Sequence, residues 1–352
     1  MMRFHRDHSL LYDGLAPCAV TGLVRPVRGE AGRERHDEVV SEFRGLFAAL
    51  QERHVPFDVV PAEAITAMAG AGLDRYRLLV VPDAGPLDTD TARALDAWVA
   101  GGGRLLATGA TAIGADGQVQ LDCLPGERAT AELAGPDALR STFVAAGPRS
   151  EDADVPIGVR APVVPLHGRR HEMTWRRDAE PHLAVLGRAP FGPPELAYGN
   201  APTGEPGYAV RRTGAGVAAQ IPWSVGRAYR ELGVTALRDL AVGVAVDLLD
   251  GAERLSADLP EQVELTVGRS GAATVVHLLN QTGVRRAGML APVTVHGGVL
   301  RIRNTHRPLL VRALVAGMEC RVRTEVDGTA TIAVPPIRRF EVLEVWELPA
   351  QP

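Results

Sequence analysis

The feature that most constrains this chain is a strand, a helix and a second strand in succession between residues 77 and 117. The stretch reads RLLVVPDAGPLDTDTARALDAWVAGGGRLLATGATAIGADG, in which one buried strand ends before Asp83 and another ends near Thr108. Between them, Asp88 is a typical N-cap residue, and a run of glycines ends the helix. The side chains expected on its inward stripe are Ala92, Leu95 and Val99. A helix that connects neighbouring strands lets them run in the same direction, so the stretch predicts a parallel sheet covered on both faces.

The flanking segments extend this alternation. Apolar runs at residues 18–24 and 55–60 predict strands, and residues 37–53 carry apolar side chains at helical spacing. Residues 216–223, GVAAQIPW, predict another strand, and we expect it to return to the same sheet with a helix that follows it. One face of that helix is apolar, formed by Leu237, Leu240, Ala241, Val244 and Leu248. The proline-rich middle of the chain predicts only short strands, at residues 182–189 and 207–212.

From about residue 255 the pattern changes to short strands separated by turn residues. In VELTV, residues 263–267, apolar residues alternate with Glu264 and Thr266, which we expect to face outward. Such spacing predicts a small antiparallel sandwich. The other predicted strands are residues 273–280, 300–304, 329–334 and 340–348.

The predicted organisation is therefore an N-terminal arm at residues 1–15, an α/β domain at residues 16–254 and a β-sandwich domain at residues 255–352. The arm lacks the apolar core of a secretory signal and is expected to be mobile. It carries His5, Asp7 and His8, but an unanchored arm is a poor metal site, so no metal is predicted there.

The composition excludes several classes of function. A net charge of -4 gives no electrostatic attraction to nucleic acid or to an anionic membrane, and all 38 basic residues are arginines. The lack of lysine excludes a Schiff-base lysine and the lysine of a P-loop. Cys18, Cys123 and Cys320 lie far apart and are odd in number, which fits neither a disulfide framework nor a paired-cysteine metal site. Since no apolar run reaches the roughly 18 residues of a membrane span, we expect a cytoplasmic protein. We also expect the protein to need no cofactor.

Four separated parts of the sequence are EFRGLFAALQERHVPFDVV, the stretch at residues 77–117, GVAAQIPWSVGRAYRELGV, and VELTV with VVHLLNQTG. Together they resemble glycoside hydrolases related to the family 42 β-galactosidases. The resemblance covers residues 16–348 and implies a flavodoxin-like or class I glutamine-amidotransferase-like parallel sheet, called the β-galactosidase trimerisation domain, followed by a small antiparallel β-sandwich. In that family a TIM barrel of about 200 to 250 residues comes first and carries the catalytic carboxylates. Only a short arm precedes residue 15 here, so we expect no residue of this chain to correspond to those carboxylates. The chain is then either a standalone relative or a fragment of a gene that once encoded the barrel.

The amidotransferase resemblance also implies where reactive groups would stand. Class I amidotransferases place a cysteine at a strand-to-helix elbow, which corresponds here to residues 109–111, and a His-Pro-Glu run that corresponds to residues 222–224. The sequence has Gly109-Ala110-Thr111 and Pro222-Trp223-Ser224 instead. Loss of a nucleophile and its base typically costs about 10⁶-fold in turnover, so we expect no glutamine hydrolysis.

A ligand site remains an alternative at the carboxyl ends of the parallel strands, where open α/β sheets bind ligands. Asp83, Thr108, Gly109, Thr111 and Trp223 are its candidate residues. The competing interpretation is that Asp83 caps a turn and that the threonines satisfy backbone groups.

Two further groups of residues have competing interpretations. Trp223 and Tyr229 could stack on a sugar, but we favour contact with another subunit or domain, because tryptophan is enriched at interfaces. His167, His171 and Glu172 could bind a metal if the segment were helical. The neighbouring arginines would repel a cation, so a solvated hairpin is predicted, and phosphate or RNA binding by these arginines is disfavoured by the few aromatic residues.

The sequence therefore predicts a non-catalytic assembly module of glycoside-hydrolase ancestry. Its partner would be a second copy of the chain, with a trimer as the form that the resemblance implies, or a separately encoded TIM-barrel glycosidase. The alternative is a glycoside hydrolase or sugar-binding protein that uses the crevice at the strand ends.

Overall fold

The computed structural model describes residues 2–26, 33–135, 138–145, 156, 158–188, 200–285, 287–303, 305 and 307–349. Contacts divide the chain into two compact units. The first, here called the α/β unit, comprises Thr21–Ala49 and Val59–Gly251. The second, the β unit, comprises Met1–Val20, Leu50–Asp58 and Ala252–Pro352.

The sheet of the α/β unit has nine strands in the order β2-β1-β3-β4-β11-β10-β9-β6-β7, while β5 and β8 pair separately. The strands are β1 (Thr21–Arg25), β2 (Phe57–Pro61), β3 (Leu78–Pro82), β4 (Arg104–Thr108), β5 (Gly126–Ala134), β6 (Phe143–Ala145), β7 (Val163–Pro165), β8 (Arg169–Trp175), β9 (Glu180–Leu186), β10 (Pro202–Thr213) and β11 (Gly216–Ile221). The helices are α1 (Arg33–Glu52), α2 (Thr89–Ala100), α3 (Val225–Leu232) and α4 (Thr235–Leu249), and a short 3-10 helix spans Ala62–Ala64.

Strand directions confirm the mixed α/β class and the parallel part of the sheet. Strand β3 is parallel to β1 and β4, and β11 is parallel to β4, as its predicted return to the sheet requires. Beyond β11 the strands β10, β9, β6 and β7 are antiparallel. The sequence predicts only part of this extension, and residue 189 of one predicted strand lies outside the described residues.

Local signals place α2 correctly. The Asp88 side chain accepts a hydrogen bond from the Thr91 N–H at 2.8 Å, as expected of an N-cap residue. Ala92, Leu95 and Val99 are buried against the sheet, which confirms the predicted inward stripe. Strand β4 begins immediately after the glycines that end this helix.

Helices α1 and α3 cross at two glycines. A Cβ atom added to Gly45 would overlap the carbonyl oxygen of Gly226, and one added to Gly226 would overlap the carbonyl oxygen of Glu42. The two backbones are therefore in direct contact, which brings polar groups of α1 next to the first turn of α3.

The β unit contains antiparallel sheets that share one apolar core, as predicted for this part of the chain. A six-stranded sheet has the order Ala16–Pro17, β13, β14, β22, β18, β19, a four-stranded sheet has the order β12-β17-β21-β20, and β15 pairs with β16. The strands are β12 (Leu255–Asp258), β13 (Val263–Ser270), β14 (Ala273–Asn280), β15 (Val284–Arg285), β16 (Gly288–Met289), β17 (Val299–Ile302), β18 (Leu309–Ala313), β19 (Met318–Glu319), β20 (Val322–Thr324), β21 (Ala330–Ala333) and β22 (Phe340–Glu347). The last residue of the predicted strand at 300–304 lies outside the described residues.

The N-terminal arm is part of the β unit and forms two short helices, Met2–Asp7 and Ser9–Asp13. The Phe4 ring packs edge-on against Phe340 with centroids 5.3 Å apart, and the Tyr12 hydroxyl lies 3.1 Å from His277 Nε2. His5 stacks on Tyr12 at a centroid distance of 4.3 Å. These contacts differ from the mobile arm expected from the sequence, because its aromatic residues have partners far along the chain.

In the parts of the chain that the structure describes, no helix combines the length and the apolar character that a membrane crossing requires.

Candidate functional site

A sharp turn follows β4 at the position where the sequence places an elbow. Thr108 is the last residue of β4, and Gly109 follows with a φ of +59°. The Gly109 N–H lies 3.0 and 3.2 Å from the carbonyl oxygens of Ile221 and Trp223, which joins the turn to the end of β11. The turn therefore lies at the carboxyl end of a parallel strand, but the next element after it is strand β5 and not a helix.

The carboxylate of Asp83 fills the space in front of this turn. A Cβ atom added to Gly109 would lie 2.5 Å from Asp83 Oδ1, so no larger residue fits at this position without displacing the carboxylate. Asp83 Oδ1 also accepts a hydrogen bond of 2.7 Å from the Ala110 N–H. In elbow enzymes a backbone N–H beside the nucleophile stabilises the oxyanion. Here that donor is already bound to an aspartate.

Asp83 is held by a two-pronged ion pair with Arg35. Arg35 donates from Nη1 to Oδ2 at 2.8 Å and from Nη2 to Oδ1 at 2.7 Å. The Asp83 side chain is 1% exposed, whereas that of Arg35 is 25% exposed. Asp83 also has a φ of +47°, a conformation that is uncommon for residues other than glycine. The ion pair and the hydrogen bond from the turn hold the residue in this conformation.

The two threonines of the predicted site are fully buried and use their hydroxyl groups internally. Thr108 donates to Glu42 Oε1 at 2.7 Å. The Thr111 hydroxyl lies 2.9 Å from the carbonyl oxygen of Val81 and accepts a hydrogen bond of 3.1 Å from the Ala84 N–H. This arrangement matches the interpretation in which the threonines satisfy neighbouring polar groups, and it leaves no hydroxyl exposed to a ligand.

Glu42 on α1 completes the buried cluster and was missed by the sequence analysis. It has no exposed surface, and Oε2 accepts a hydrogen bond of 2.6 Å from the Arg227 N–H. Burial, together with the nearby charge of Asp83, raises the pKa of Glu42 to about 7. A sequence signal existed, because Glu42 lies three residues after Val39 and four before Leu46, on the apolar face of a predicted helix.

A second set of ion pairs surrounds Glu38, one turn before Glu42. Glu38 accepts hydrogen bonds from Arg169 at 2.8 Å and from Arg227 at 2.6 Å. Burial opposes ionisation, but these two hydrogen bonds lower the pKa of Glu38 below its usual value. Arg227 also binds Glu231 at 2.8 Å, so the network links α1 with α3 and β8.

The proposed metal residues lie on or beside a strand and not on a helix. His167 precedes β8 and binds Glu231 at 2.8 Å, whereas His171 is buried within β8 with its Nδ1 atom 3.9 Å from Glu132. Burial lowers the pKa of His171. The predicted solvated hairpin is also wrong for part of this segment, since Arg170 and His171 are buried. Over the described residues there is no group of three or more His, Cys, Asp or Glu residues that could hold a metal.

Trp223 has no exposed surface, and its Nε1 donates to the Gly207 carbonyl oxygen at 3.0 Å. This burial leaves no face of Trp223 for a sugar or for another subunit, so its side chain stabilises the interior of the α/β unit. Tyr229 lies on α3 and is partly exposed. Trp223 and Tyr229, which the sequence pairs in one candidate site, therefore differ in exposure.

Asp83 also borders a cavity of about 830 Å³ at the carboxyl ends of the parallel strands. Its other walls come from the first turns of α1 and α2 and from the segments that follow β1, β2 and β3. Thr108, Thr111 and Trp223 do not line this cavity. Of the side chains predicted to form a ligand site at the strand ends, Asp83 alone faces it.

Comparison with known protein families gives one match to this chain. Residues 27–151 match the profile of the β-galactosidase trimerisation domain. This match confirms the resemblance to that domain and the relation to glycoside hydrolases. No curated protein matches the chain.

Solved structures with a similar fold include several glycoside hydrolases. The α-L-fucosidase isoenzyme 2 from Paenibacillus thiaminolyticus has a TM-score of 0.68 and 18% identity over 95% of this chain and 49% of its own length. The β-galactosidase from Bacillus circulans sp. alkalophilus has a TM-score of 0.56 and 15% identity over 93% of this chain and 41% of its own. The β-galactosidase from Rahnella sp. R3 has a TM-score of 0.55 and 15% identity over 94% of this chain and 41% of its own length. The chain thus spans half or less of each relative, and these identities establish a likeness of fold alone.

Proposed function

We propose that this chain is a non-catalytic assembly module of glycoside-hydrolase ancestry that acts in carbohydrate metabolism. Its partner is a second copy of the chain, with a trimer as the favoured form, or a TIM-barrel glycosidase encoded separately. The match of residues 27–151 to the β-galactosidase trimerisation domain supports the assembly role.

The observation that carries the non-catalytic part is the position of the Asp83 carboxylate in front of the elbow. It occupies the space that a side chain at Gly109 would need, and it accepts the hydrogen bond of the Ala110 N–H. A nucleophile and a free oxyanion donor are both needed for acyl transfer at an elbow. Neither is available in this arrangement.

A glycosidase at the same crevice is also disfavoured. Most glycoside hydrolases use a pair of carboxyl groups that reach the sugar from either side. Asp83 is bound on both oxygens by Arg35, and Glu42 has no exposed surface. These two carboxyl groups therefore support structure and not hydrolysis.

The finer architecture belongs to the same proposal. The order β2-β1-β3-β4-β11 of the first five strands along the sheet fits a flavodoxin-like or class I glutamine-amidotransferase-like core. We place the arm at residues 1–15, the amidotransferase-like domain at residues 16–254 and the β-sandwich domain at residues 255–352.

Light scattering coupled to size-exclusion chromatography tests the assembly role. The full chain is expected to elute as an oligomer at micromolar concentration, or to form a stable complex with a co-expressed TIM-barrel glycosidase. A monomer that also fails to bind the barrel protein would contradict the proposal.

Activity assays test the non-catalytic role separately. The purified chain is expected to hydrolyse neither glutamine nor a panel of nitrophenyl galactosides, fucosides and mannosides. Turnover that a single substitution in this chain abolishes would overturn the proposal, whatever the oligomeric state.

A further inference from the structure

The cavity beside Asp83 lies at the point of the sheet where the strand order reverses. From β1 the chain passes to β2 on one side and then to β3 on the other side, so β1 and β3 flank the reversal. Open α/β sheets bind ligands in the crevice outside the carboxyl ends of the strands at this point. Pro26 follows β1, Ala62 follows β2 and Asp83 follows β3, and all three line the cavity.

From this position and from its lining, we propose that the cavity is a binding site for a neutral sugar of one or two rings. Small-molecule sites usually have volumes of roughly 300 to 1,000 Å³. The cavity, at about 830 Å³, lies within that range. The site is distinct from the assembly role, because neither depends on the other.

The charges around the cavity favour a neutral ligand. The Asp83 carboxylate is neutralised by Arg35, and the Asp88 carboxylate accepts hydrogen bonds from the N–H and hydroxyl groups of Thr91 at the start of α2. Glu63 pairs with Arg25 at 3.4 Å. The charges of Arg35 and Asp83 cancel, whereas Asp88 keeps an exposed carboxylate, so an anionic ligand would enter without a counter-charge.

The distribution of polar and apolar groups favours a sugar over a wholly apolar molecule. Val39, Ala84 and Leu87 present aliphatic surface, which suits the C–H face of a sugar ring. Elsewhere on the wall the hydroxyl groups of Thr66 and Thr91 lie 3.2 Å apart, near the Arg35–Asp83 pair. The Arg35 side chain is 25% exposed and has more N–H donors than its two hydrogen bonds to Asp83 use, so it can donate to the hydroxyl groups of a sugar ring.

A series of sugars that differ mainly in charge tests the class of ligand. Calorimetric titration of the full chain with D-galactose, D-galactosamine and D-galacturonate compares a neutral, a cationic and an anionic ring of the same size. We expect saturable binding of the neutral sugar and at least about tenfold weaker binding of the anionic sugar. The proposal also allows D-glucose or L-fucose to be the best neutral ligand. Tighter binding of a charged sugar, or no saturable binding of any neutral one, would overturn it.

A matched pair of substitutions tests the place of binding. Val39→Trp puts a large side chain into the cavity, whereas Val40→Trp puts the same side chain one residue further along α1, where Val40 lines a different groove. The first substitution is expected to weaken sugar binding at least about tenfold and the second to leave it within about twofold. Circular dichroism and the melting temperature establish that both variants are folded. Equal affinities in the two folded variants would refute the assignment to this cavity, and neither result bears on the oligomeric state.

Discussion

At the scale of single residues, Asp83 combines a backbone conformation that disfavours most side chains with a buried charge that needs a partner. Positive φ costs on the order of 1 kcal/mol or more for a residue other than glycine, although aspartate and asparagine adopt it more readily than most. The partner is Arg35, and the turn after β4 supplies an additional hydrogen bond. Removal of the charge and removal of the side-chain shape are therefore separable experiments.

The substitution Asp83→Asn removes the charge and keeps the shape. Arg35 is then left near a neutral amide in a largely buried position, and we expect the free energy of unfolding to fall by about 3 kcal/mol. Asp90→Asn is the control, because Asp90 and Arg93 form an ion pair in which both side chains are 72% exposed. That change is expected to cost less than about 1 kcal/mol. Urea denaturation measures the free energy of unfolding of both variants. Equal losses in the two variants would show that the buried ion pair contributes little to stability.

Glu42 predicts a loss of stability as the pH rises. In the folded protein its pKa is about 7, above the usual value of 4.5, so between these values the folded state holds a proton that the unfolded state has released. Stability from this group is fully present below about pH 4.5 and is lost as the pH rises through 7. Since one pKa unit corresponds to roughly 1.4 kcal/mol, the total loss is about 3 kcal/mol.

The variant Glu42→Gln isolates this effect, because glutamine does not titrate. The difference in free energy of unfolding between the natural chain and the variant is expected to shift by about 3 kcal/mol from pH 4 to pH 8, to the disadvantage of the natural chain. Burial raises the pKa of Glu253 to about 7 as well, but that group is present in both proteins and cancels. A difference that stays constant with pH would contradict the buried, protonated state of Glu42.

At the scale of secondary-structure elements, the contact between α1 and α3 determines how the cluster is closed. Gly45 and Gly226 let the two backbones touch, and this contact brings the Arg227 N–H within 2.6 Å of Glu42. Arg227 also reaches Glu38 on the same helix. The polar cluster therefore depends on two positions that carry no side chain.

Gly45→Ala tests this crossing, because two physical effects of the substitution would change the free energy of unfolding in opposite directions. In an isolated helix, alanine is more favourable than glycine by about 1 kcal/mol. At the crossing, the added methyl group would overlap the Gly226 carbonyl oxygen, and we expect a net loss of at least about 2 kcal/mol. Arg44→Ala, at the exposed neighbouring position, is the control and should change the free energy of unfolding by less than about 0.5 kcal/mol. A stabilised Gly45→Ala protein would show that the helices do not touch.

Signals that act over a few residues could be interpreted from the sequence, whereas pairings between distant residues could not. The cap at Asp88 and the inward stripe of α2 depend on neighbours within one or two turns, and both predictions are confirmed. The position of Asp83 at a strand end was also evident from local pattern. Its partner Arg35 lies 48 residues away, and no local pattern specifies that pairing. Thr108 was placed at the correct strand end, but its side chain faces Glu42 in the interior, a direction that only the packing of α1 determines.

At the scale of the whole molecule, the assembly proposal requires an exposed contact surface. Trp223 cannot provide it, but Tyr229 is partly exposed on α3. On the same helix, three residues further on, Leu232 is 43% exposed, and Val234 beyond it is 38% exposed. Residues three apart on a helix are neighbours on its surface, so Tyr229 and Leu232 form a small apolar patch on α3 where a second subunit could pack.

Leu232→Asp tests this patch. A charge at a buried subunit contact is costly, so the substitution is expected to shift the oligomer to a smaller species and raise its dissociation constant by at least about tenfold. Val326→Asp places the same charge at an equally apolar but fully exposed residue of the β unit and should leave assembly unchanged. Light scattering at several concentrations measures both. An unaltered oligomer in the Leu232→Asp protein would place the interface elsewhere.

The aspartate in front of the turn limits how the turn can change by mutation. A nucleophilic side chain introduced at Gly109 would overlap the Asp83 carboxylate. A mutation that removes this carboxylate would leave Arg35 without this ion-pair partner. Each step is harmful by itself, and only their combination reopens the turn. Such sign epistasis means that a single substitution is not expected to give this turn a reactive side chain.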